Sequence, residues 1–233
     1  IGVAALVNPL RVHWLVPKFD APVIALIAAA LLLVMRDRAV TRIESALLLA
    51  AFAVFTVLRW WLAKRPHASE VDSEFADEMP AASGANWGNI ARVAGGLVML
   101  GAGGWMFLDG AVAIAKFFGV SHAVIGLTLV SLGTCLPEMT TNLVAARRGH
   151  GDIVIANAVG SCVFNSLFIL GFAGMISPFE AKGFGAGPLW WFAAATLVLL
   201  PILWTHNRVT RAEGAVLTAF YAAYFFWLIA FNP

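Results

Sequence analysis

Charged side chains are scarce in this chain. Only 12% of its 233 residues are Asp, Glu, Lys or Arg, whereas 61% are hydrophobic. Soluble domains carry about 25% charged residues, so this composition excludes an ordinary soluble protein and indicates a polytopic membrane protein. The formal net charge of +2 is too small to suggest a nucleic-acid partner.

Motifs for covalent or redox chemistry are also missing. The only two cysteines, Cys135 and Cys162, form no disulfide framework, and we interpret them as small core residues rather than ligands. No Ser/His pair and no H-E-x-x-H motif lies in an apolar segment, which argues against an intramembrane hydrolase. We therefore expect no enzyme activity and no cofactor. The acidic run from Glu70 to Glu78 lacks the spacing of an EF-hand loop, so a solvated linker is favoured over a regulatory calcium site.

Long apolar segments dominate what is present. They are close to the roughly 20 residues that a bilayer-spanning helix needs. We predict seven spans, two of them forming a helical hairpin within 122–176, plus a helix remnant at 1–10. The other five lie near 22–35, 43–62, 90–118, 186–204 and 212–231. The segment 64–89 is polar and acidic, and we interpret it as a cytoplasmic linker.

The first half of the hairpin combines an apolar sequence with regularly spaced polar side chains. Ser131, Thr134, Glu138 and Asn142 share one face of a helix, because they fall at i, i+3, i+7 and i+11. A carboxylate at the centre of a span costs about 2.5–3.5 kcal/mol on translocon scales. Chains retain such a group where it faces a protein interior or an ion path.

Pro137 interrupts this stripe. It has no N–H to donate to the carbonyl of Gly133, and glycine weakens the helix at the same place. The pair predicts a break in the helix between residues 133 and 137. Broken helices at membrane depth are tolerated where the freed carbonyls line a site, as in secondary transporters.

The second half of the hairpin repeats the pattern. Asn157, Ser161 and Asn165 are spaced by four, which again places them on one helix face. A polar turn at 147–152 separates the two halves, so the two stripes are able to face each other. Carboxylate, amide and hydroxyl oxygens suit Ca²⁺, Na⁺ or Mg²⁺ better than soft metals. For Asn142 and Asn157, packing and bonding around the site remain equally open.

The two motifs GLTLVSLGTCLPE and ANAVGSCVFNSLFILG resemble the second α-repeat of the cation/Ca²⁺ exchanger superfamily, especially prokaryotic Na⁺/Ca²⁺ exchangers. The resemblance implies an all-α membrane protein with an inverted-repeat, ten-helix fold. It also implies that Glu138 is the main ion ligand, that Thr134, Ser161 and Asn165 line the site, and that a backbone carbonyl near Ser131 joins them.

Three departures from the family pattern affect selectivity. Ser131, Cys135 and Cys162 stand where the family usually has Ala, Ser and Asn. Some members have Asp at the position of Asn165, so the present hairpin contributes one acidic ligand. These differences leave the expected fold unchanged but leave the choice of ion open.

An internal repeat supports the same architecture. The segments 1–10 and 170–179 are similar, and so are 40–50 and 209–219. One ungapped shift in numbering relates both pairs, because it takes position 1 to 170 and position 40 to 209. Residues 1–63 are therefore predicted to end a first copy, and residues 90–233 to form a complete second copy. The second copy has five spans, an odd number, so the copies are expected to be inverted in the membrane.

The repeat also predicts what lies outside this sequence. The second copy places about 80 residues before its segment 170–179, so we expect about as many before residue 1, with a first polar hairpin that completes the ion site.

Orientation follows from the basic residues. With the linker in the cytoplasm, ten basic residues fall inside and five outside, as the positive-inside rule expects. The ten are Arg11, Lys18, Arg59, Lys64, Arg65, Arg92, Arg147, Arg148, Arg208 and Arg211.

The expected function is a multi-pass antiporter of the cell (inner) membrane that exchanges Ca²⁺ for Na⁺. Two alternatives stay open, a Ca²⁺/H⁺ antiporter and a non-transporting truncated membrane scaffold.

Overall fold

The computed structural model describes residues 1–64, 87–117, 119, 125, 130–180, 187–205 and 208–231. The linker residues 65–86 lie outside the described residues, and so do 122–124 and 126–129 at the start of the predicted hairpin. We number the α-helices of the described ranges as follows: α1 Gly2–Val7, α2 Ala21–Val34, α3 Arg42–Ala63, α4 Trp87–Phe117, α5 Ser131–Arg147, α6 Gly151–Val163, α7 Leu170–Ile176, α8 Gly187–Thr205 and α9 Arg211–Phe231.

Six helical spans of the described chain are long and apolar enough to cross a membrane: Val16–Asp37, Arg42–Leu62, Trp87–Phe117, Gly151–Ile176, Gly187–Trp204 and Arg211–Ala230. Two of them include π-helical turns, one at Val16–Asp20 before α2 and one at Phe164–Ile169 between α6 and α7. Helix α5, which is shorter and more polar, is the seventh predicted span and has 17 residues. The spans begin and end within a few residues of the predicted positions.

Four two-residue strands, which the sequence analysis did not predict, form two antiparallel ribbons. They are β1 Leu10–Arg11, β2 Ala39–Val40, β3 Phe179–Glu180 and β4 Arg208–Val209. Strand β1 pairs with β4, with Leu10 opposite Val209. Strand β2 pairs with β3, with Val40 opposite Phe179.

The ribbons reproduce the internal repeat. The shift in numbering that relates the two copies carries β1 onto β3 and β2 onto β4. The same shift therefore turns the pair β1–β4 into the pair β3–β2, so each ribbon takes one strand from each copy. This exchange is the relation expected of two copies connected by an internal two-fold axis, and it agrees with the predicted inverted repeat.

Both copies begin their last helix with the same capping box. The Thr41 backbone N–H donates to Oε2 of Glu44 at 2.9 Å, and the Glu44 N–H donates back to the Thr41 hydroxyl at 3.3 Å. The corresponding distances between Thr210 and Glu213 are 2.7 Å and 3.3 Å. These bonds satisfy backbone donors that a helix N-terminus otherwise leaves free. Glu44 and Glu213, which the ungapped shift matches, thus both act at helix starts.

Small residues allow two equivalent helix crossings. Helix α1 packs against α9, and α7 packs against α3. In the first crossing, a β-carbon on Gly214 would lie 2.8 Å from Cβ of Ala5. In the second, a β-carbon on Gly174 would collide with Oγ of Ser45. Each of these two contacts therefore requires a glycine, which lies on opposite partners in the two copies.

A buried ion pair joins the start of α2 to the end of α3. Nε of Arg59 lies 3.0 Å from Oδ1 of Asp20, whose side chain is 1% exposed. A buried carboxylate needs such a partner, because an unpaired charge in an apolar interior is costly. Trp204 reinforces the same end of the bundle by donating its indole N–H to the Pro17 carbonyl at 2.6 Å.

The apolar core places α6 at the centre of the bundle. Val154, Ile155 and Val163 of α6 are completely buried. They belong to one cluster with residues of α1, α2, α8 and the β1–β4 ribbon. The helix that carries the second polar stripe is consequently held by several neighbours.

Candidate cation site

The two polar stripes lie on a tight helical hairpin. Helix α5 ends in a turn where Gly149 has a φ of +87°, a conformation that glycine adopts without strain. The His150 N–H donates back to the Ala145 carbonyl at 3.0 Å and closes the turn. From the other copy of the repeat, the Asn8 side chain donates to the Ala146 carbonyl at 3.1 Å. No sequence pattern singled out Asn8, which is a second donor to a carbonyl that also accepts the Gly149 N–H.

An amide–amide hydrogen bond connects α5 to α6. Nδ2 of Asn157 donates to Oδ1 of Asn142 at 2.8 Å. These two residues therefore bond to each other across the hairpin. The bond also fixes which residues of the two antiparallel helices lie at the same height.

The predicted site residues lie about one and two helical turns beyond this bond, further from the hairpin turn. Glu138 lies four residues before Asn142, and Ser161 lies four residues after Asn157, so these two are level with each other. A further four residues place Thr134 level with Asn165. At a rise of about 1.5 Å per residue, the levels are about 6 Å apart. Counted in this way, the two stripes run side by side along the hairpin, while ion binding by their residues stays a prediction.

Glu138 has an unsatisfied oxygen. Its side chain is half-buried, and Oε2 is buried without a hydrogen-bond partner within the described residues. Buried polar atoms without partners are uncommon in native proteins, and a buried carboxylate oxygen is among the most costly. A bound cation would satisfy it.

The Thr134 hydroxyl is prepared to act as an acceptor. It lies 3.0 Å from the carbonyl of Val130 and 3.0 Å from that of Ser131, and its proton points to these carbonyls. Its lone pairs remain available for a cation, since a hydroxyl has one donor and two acceptor positions. The Ser131 carbonyl, the expected backbone ligand, accepts this hydroxyl.

Asn165 lies within the π-helical turn Phe164–Ile169. Single π turns inside α-helices occur frequently at functional sites, because the extra residue changes the direction of the side chains. The opposite side of the turn is held by aromatic rings. Phe164 and Phe168 stack at 4.9 Å between ring centroids, and Phe168 lies 5.2 Å from Phe52 of α3. The sequence analysis missed these rings, although the four-residue spacing of the phenylalanines could have indicated them.

Ser131, Thr134 and Asn165 are exposed on the described part of the chain, whereas Glu138 and Ser161 are half-buried. The stripe therefore becomes more open with distance from the hairpin turn. Within the described residues, no group of three or more His, Cys, Asp or Glu side chains is placed to hold a metal ion. Cys135 and Cys162 are both free thiols.

The predicted break at Pro137 was wrong. Helix α5 runs without interruption from Ser131 to Arg147 with Pro137 inside it. Neighbouring helices stabilise proline-containing turns in membranes, and here α4 is the neighbour. Gly133 is buried so closely against α4 that a β-carbon would lie 2.9 Å from Cδ1 of Leu108. Tertiary packing thus keeps the helix that proline alone would weaken.

A bundle of membrane helices built from inverted copies, with an unsatisfied carboxylate inside it, is typical of secondary transporters. The model of the family described as sodium/calcium exchanger protein matches residues 89–230. The chain belongs to this family, which consists of membrane cation exchangers rather than catalytic enzymes.

Three relatives show how far the similarity extends. The chain is 33% identical to the "Putative antiporter CaxA" of Alkalimonas amylolytica, over 99% of this chain and 73% of that protein. It is 30% identical to the "Inner membrane protein YrbG" of Escherichia coli K12, over 77% of this chain and 56% of that protein. It is 37% identical to the "Sodium/calcium exchanger MaX1" of Methanosarcina acetivorans, over 51% of this chain and 34% of that protein.

A solved structure has the same fold. The sodium-calcium exchanger NCX_Mj superposes with a TM-score of 0.70 at 24% identity, over 98% of this chain and 70% of that chain. The expected inverted-repeat exchanger fold is confirmed.

Proposed function

We propose that the chain works in a cation antiporter that moves Ca²⁺ in exchange for Na⁺ through a site centred on Glu138. Oε2 of Glu138, which is buried without a hydrogen-bond partner in the described part of the chain, carries this proposal. A carboxylate in a membrane span is retained where a cation or a proton offsets its burial. The proposal is supported by the count along the two helices from the Asn142–Asn157 bond, which puts Ser161 level with Glu138.

The ligand set matches hard cations. Glu138 supplies the negative charge, and Thr134, Ser161 and Asn165 supply neutral oxygens together with the Ser131 carbonyl. Calcium takes six to eight oxygen ligands. These five groups therefore leave positions for water and for the first copy of the hairpin, which the repeat predicts. A second carboxylate from that copy would balance one Ca²⁺, and the two inverted copies would move around the site to give alternating access.

Sodium is the proposed coupling ion. The name of the Methanosarcina acetivorans relative, a sodium/calcium exchanger, supports this choice. The proposed location is the inner membrane with the linker in the cytoplasm, which is supported by the name of the Escherichia coli relative. Proton coupling and a scaffold without transport are the competing outcomes of the test.

The test is ⁴⁵Ca²⁺ uptake into everted vesicles that contain the protein in the full length its gene encodes. We expect uptake driven by a sodium gradient in the wild type, and at least a tenfold loss in Glu138→Gln, because the neutral amide removes the charge that binds the ion. Uptake that does not depend on sodium but is driven by a pH gradient would identify protons, not sodium, as the coupling ion. No uptake under either gradient would contradict the antiporter proposal.

Glu44→Gln is the matched control. Glutamine preserves a capping box, so this substitution removes the same charge from the chain without removing the cap. Transport by this variant should equal that of the wild type. Equal losses in the two variants would mean that Glu138 has no special role.

A further inference from the structure

A second polar feature lies apart from the cation site, at one end of the bundle. A cavity of about 560 Å³ opens between the hairpin turn and the β1–β4 ribbon. Its wall includes the side chains of Arg11, Arg148, His150 and Arg208. We call it the ribbon pocket. Its position depends on the fold, because its residues come from three segments that are far apart in the sequence.

The pocket concentrates positive charge. Arg11 and Arg208 are direct partners on adjacent antiparallel strands, where like charges destabilise the pairing. Arg148 adds a third guanidinium from the turn. No aspartate or glutamate is among the described residues that line the pocket. Within the described ranges, the guanidinium groups of Arg148 and Arg208 form no ion pair or hydrogen bond.

The backbone adds to this field. Helix α6 begins at Gly151, directly after the lining residue His150, and His150 caps the helix without a side-chain hydrogen bond. The positive end of the helix dipole is therefore next to the pocket. Asp152, in the first turn of α6, is the nearest carboxylate in sequence and is not a lining residue.

We propose that the ribbon pocket binds a phosphate group. Guanidinium forks match phosphate oxygens with paired hydrogen bonds, and three of them around one cavity favour an anionic phosphate. A bound phosphate would offset positive charge in the pocket and would connect the ribbon to the hairpin turn. The phosphate comes either from the headgroup of an anionic phospholipid or from a soluble phosphate compound.

The position of the pocket is compatible with both sources. Its three arginines belong to the loops that the charge bias places on the cytoplasmic side. Basic clusters at this surface attract anionic headgroups, with about 1 kcal/mol for each Lys or Arg.

The experiment measures the melting temperature of the purified protein in a neutral detergent. One arm adds phosphatidylglycerol, with phosphatidylcholine as the uncharged comparison. The other adds sodium phosphate, with sodium chloride at equal ionic strength. We expect stabilisation by at least one phosphate source, and dissociation constants about tenfold or more higher in Arg148→Gln/Arg208→Gln.

The pattern of responses identifies the ligand. Stabilisation by phosphatidylglycerol alone assigns a lipid headgroup, and stabilisation by phosphate alone assigns a soluble compound. Arg36→Gln/Arg38→Gln is the matched control, because it removes two exposed arginines from a turn elsewhere in the fold. Equal losses of affinity in both double variants would show that general surface charge causes the effect, and would overturn the proposal.

A third variant separates loss of the guanidinium groups from misfolding caused by the loss of two charges. Arg148→Lys/Arg208→Lys keeps both charges but removes the forks, so its binding should be weaker than that of the wild type. If the lysine variant binds as tightly as the wild type, or if neither source stabilises the wild-type protein, the pocket is not a phosphate site.

Discussion

At the scale of single residues, Glu138 is recognisable from sequence because a carboxylate in an apolar segment is costly. The sequence does not reveal that Oε2 lacks a hydrogen-bond partner among the described residues, since hydrogen bonding depends on which neighbours the fold brings close. Sequence analysis predicted a helix break at Pro137 wrongly for the same reason, because it does not show the neighbours in the fold. Sequence rules describe the proline in an isolated helix, whereas packing of Gly133 on Leu108 holds the folded one.

Gly151 provides a residue-scale prediction. A β-carbon there would lie 2.7 Å from the backbone N of Arg11 and 2.7 Å from Cα of Leu10. Because backbone atoms cannot move aside cheaply, Gly151→Ala should lower the free energy of unfolding by about 1–3 kcal/mol. Thermal or denaturant unfolding of the purified protein in detergent measures this loss.

The control for this prediction is Gly95→Ala. Gly95 also lies in a helix, but within the described residues no atom beyond its own stretch of helix lies within 4 Å of the added β-carbon. Alanine should leave stability unchanged or raise it by up to about 1 kcal/mol. Equal melting temperatures of the two variants would show that the hairpin turn does not need a glycine to approach β1.

At the scale of elements, the long helices were predicted well because each is an apolar segment of bilayer length. The four strands were not, since a two-residue strand carries no alternating pattern to detect. The π turn at Phe164–Ile169 also has no sequence period of its own. The elements that sequence analysis missed are those defined by pairing or packing rather than by composition.

The twin capping boxes give an element-scale prediction. Thr41→Val and Thr210→Val each remove the side-chain acceptor for a glutamate N–H in the first helical turn. Each should lower stability by about 1 kcal/mol. The two losses should add in the double variant, because the boxes do not share partners. Thermal unfolding of the three variants tests both statements.

Thr56→Val serves as the comparison within α3. The Thr56 hydroxyl donates to the Phe52 carbonyl at 2.9 Å, in the middle of the helix. That carbonyl already lies in the helical hydrogen-bond ladder, so removing the hydroxyl should change stability by no more than about 0.5 kcal/mol. A Thr56→Val loss as large as that of Thr41→Val would exclude capping as the cause.

At the scale of the whole molecule, the internal repeat was visible in sequence as one ungapped shift between two pairs of similar segments. That shift correctly matched the segments that contain the strands of the two ribbons and the two capping boxes. The shift did not reveal that each ribbon contains one strand from each copy. Similarity between two segments does not show which other segment each of them contacts. The ion-binding role of the stripe stays a prediction of the motif and its chemistry.

Cross-linking tests the exchange of strands. Ala39 and Glu180 are direct partners in the β2–β3 ribbon, and such partners lie about 4.5–5.5 Å apart at Cα, within disulfide range. Ala39→Cys/Glu180→Cys, in a background of Cys135→Ser and Cys162→Ser, should form a disulfide on mild oxidation. After cleavage at a protease site inserted in the linker, the two halves should migrate together on a gel until the disulfide is reduced.

Ala39→Cys/Arg208→Cys is the negative comparison. These residues occupy equivalent positions in the two copies but belong to different ribbons. The halves should separate after cleavage, with or without oxidant. Cross-linking of this pair, or none between residues 39 and 180, would contradict the observed pairing.

The exchanged ribbons also affect how the protein is made. Leu10 emerges from the ribosome well before its strand partner Val209, because most of this sequence lies between the two. At about 5–20 residues per second, that interval lasts roughly 10–40 s. During this time the β1 edge and its arginine lie at the membrane surface without their partner strand. The early segments must therefore wait until β4 has been synthesised before one face of the bundle can close, and the insertion machinery or a chaperone has that interval in which to act on them.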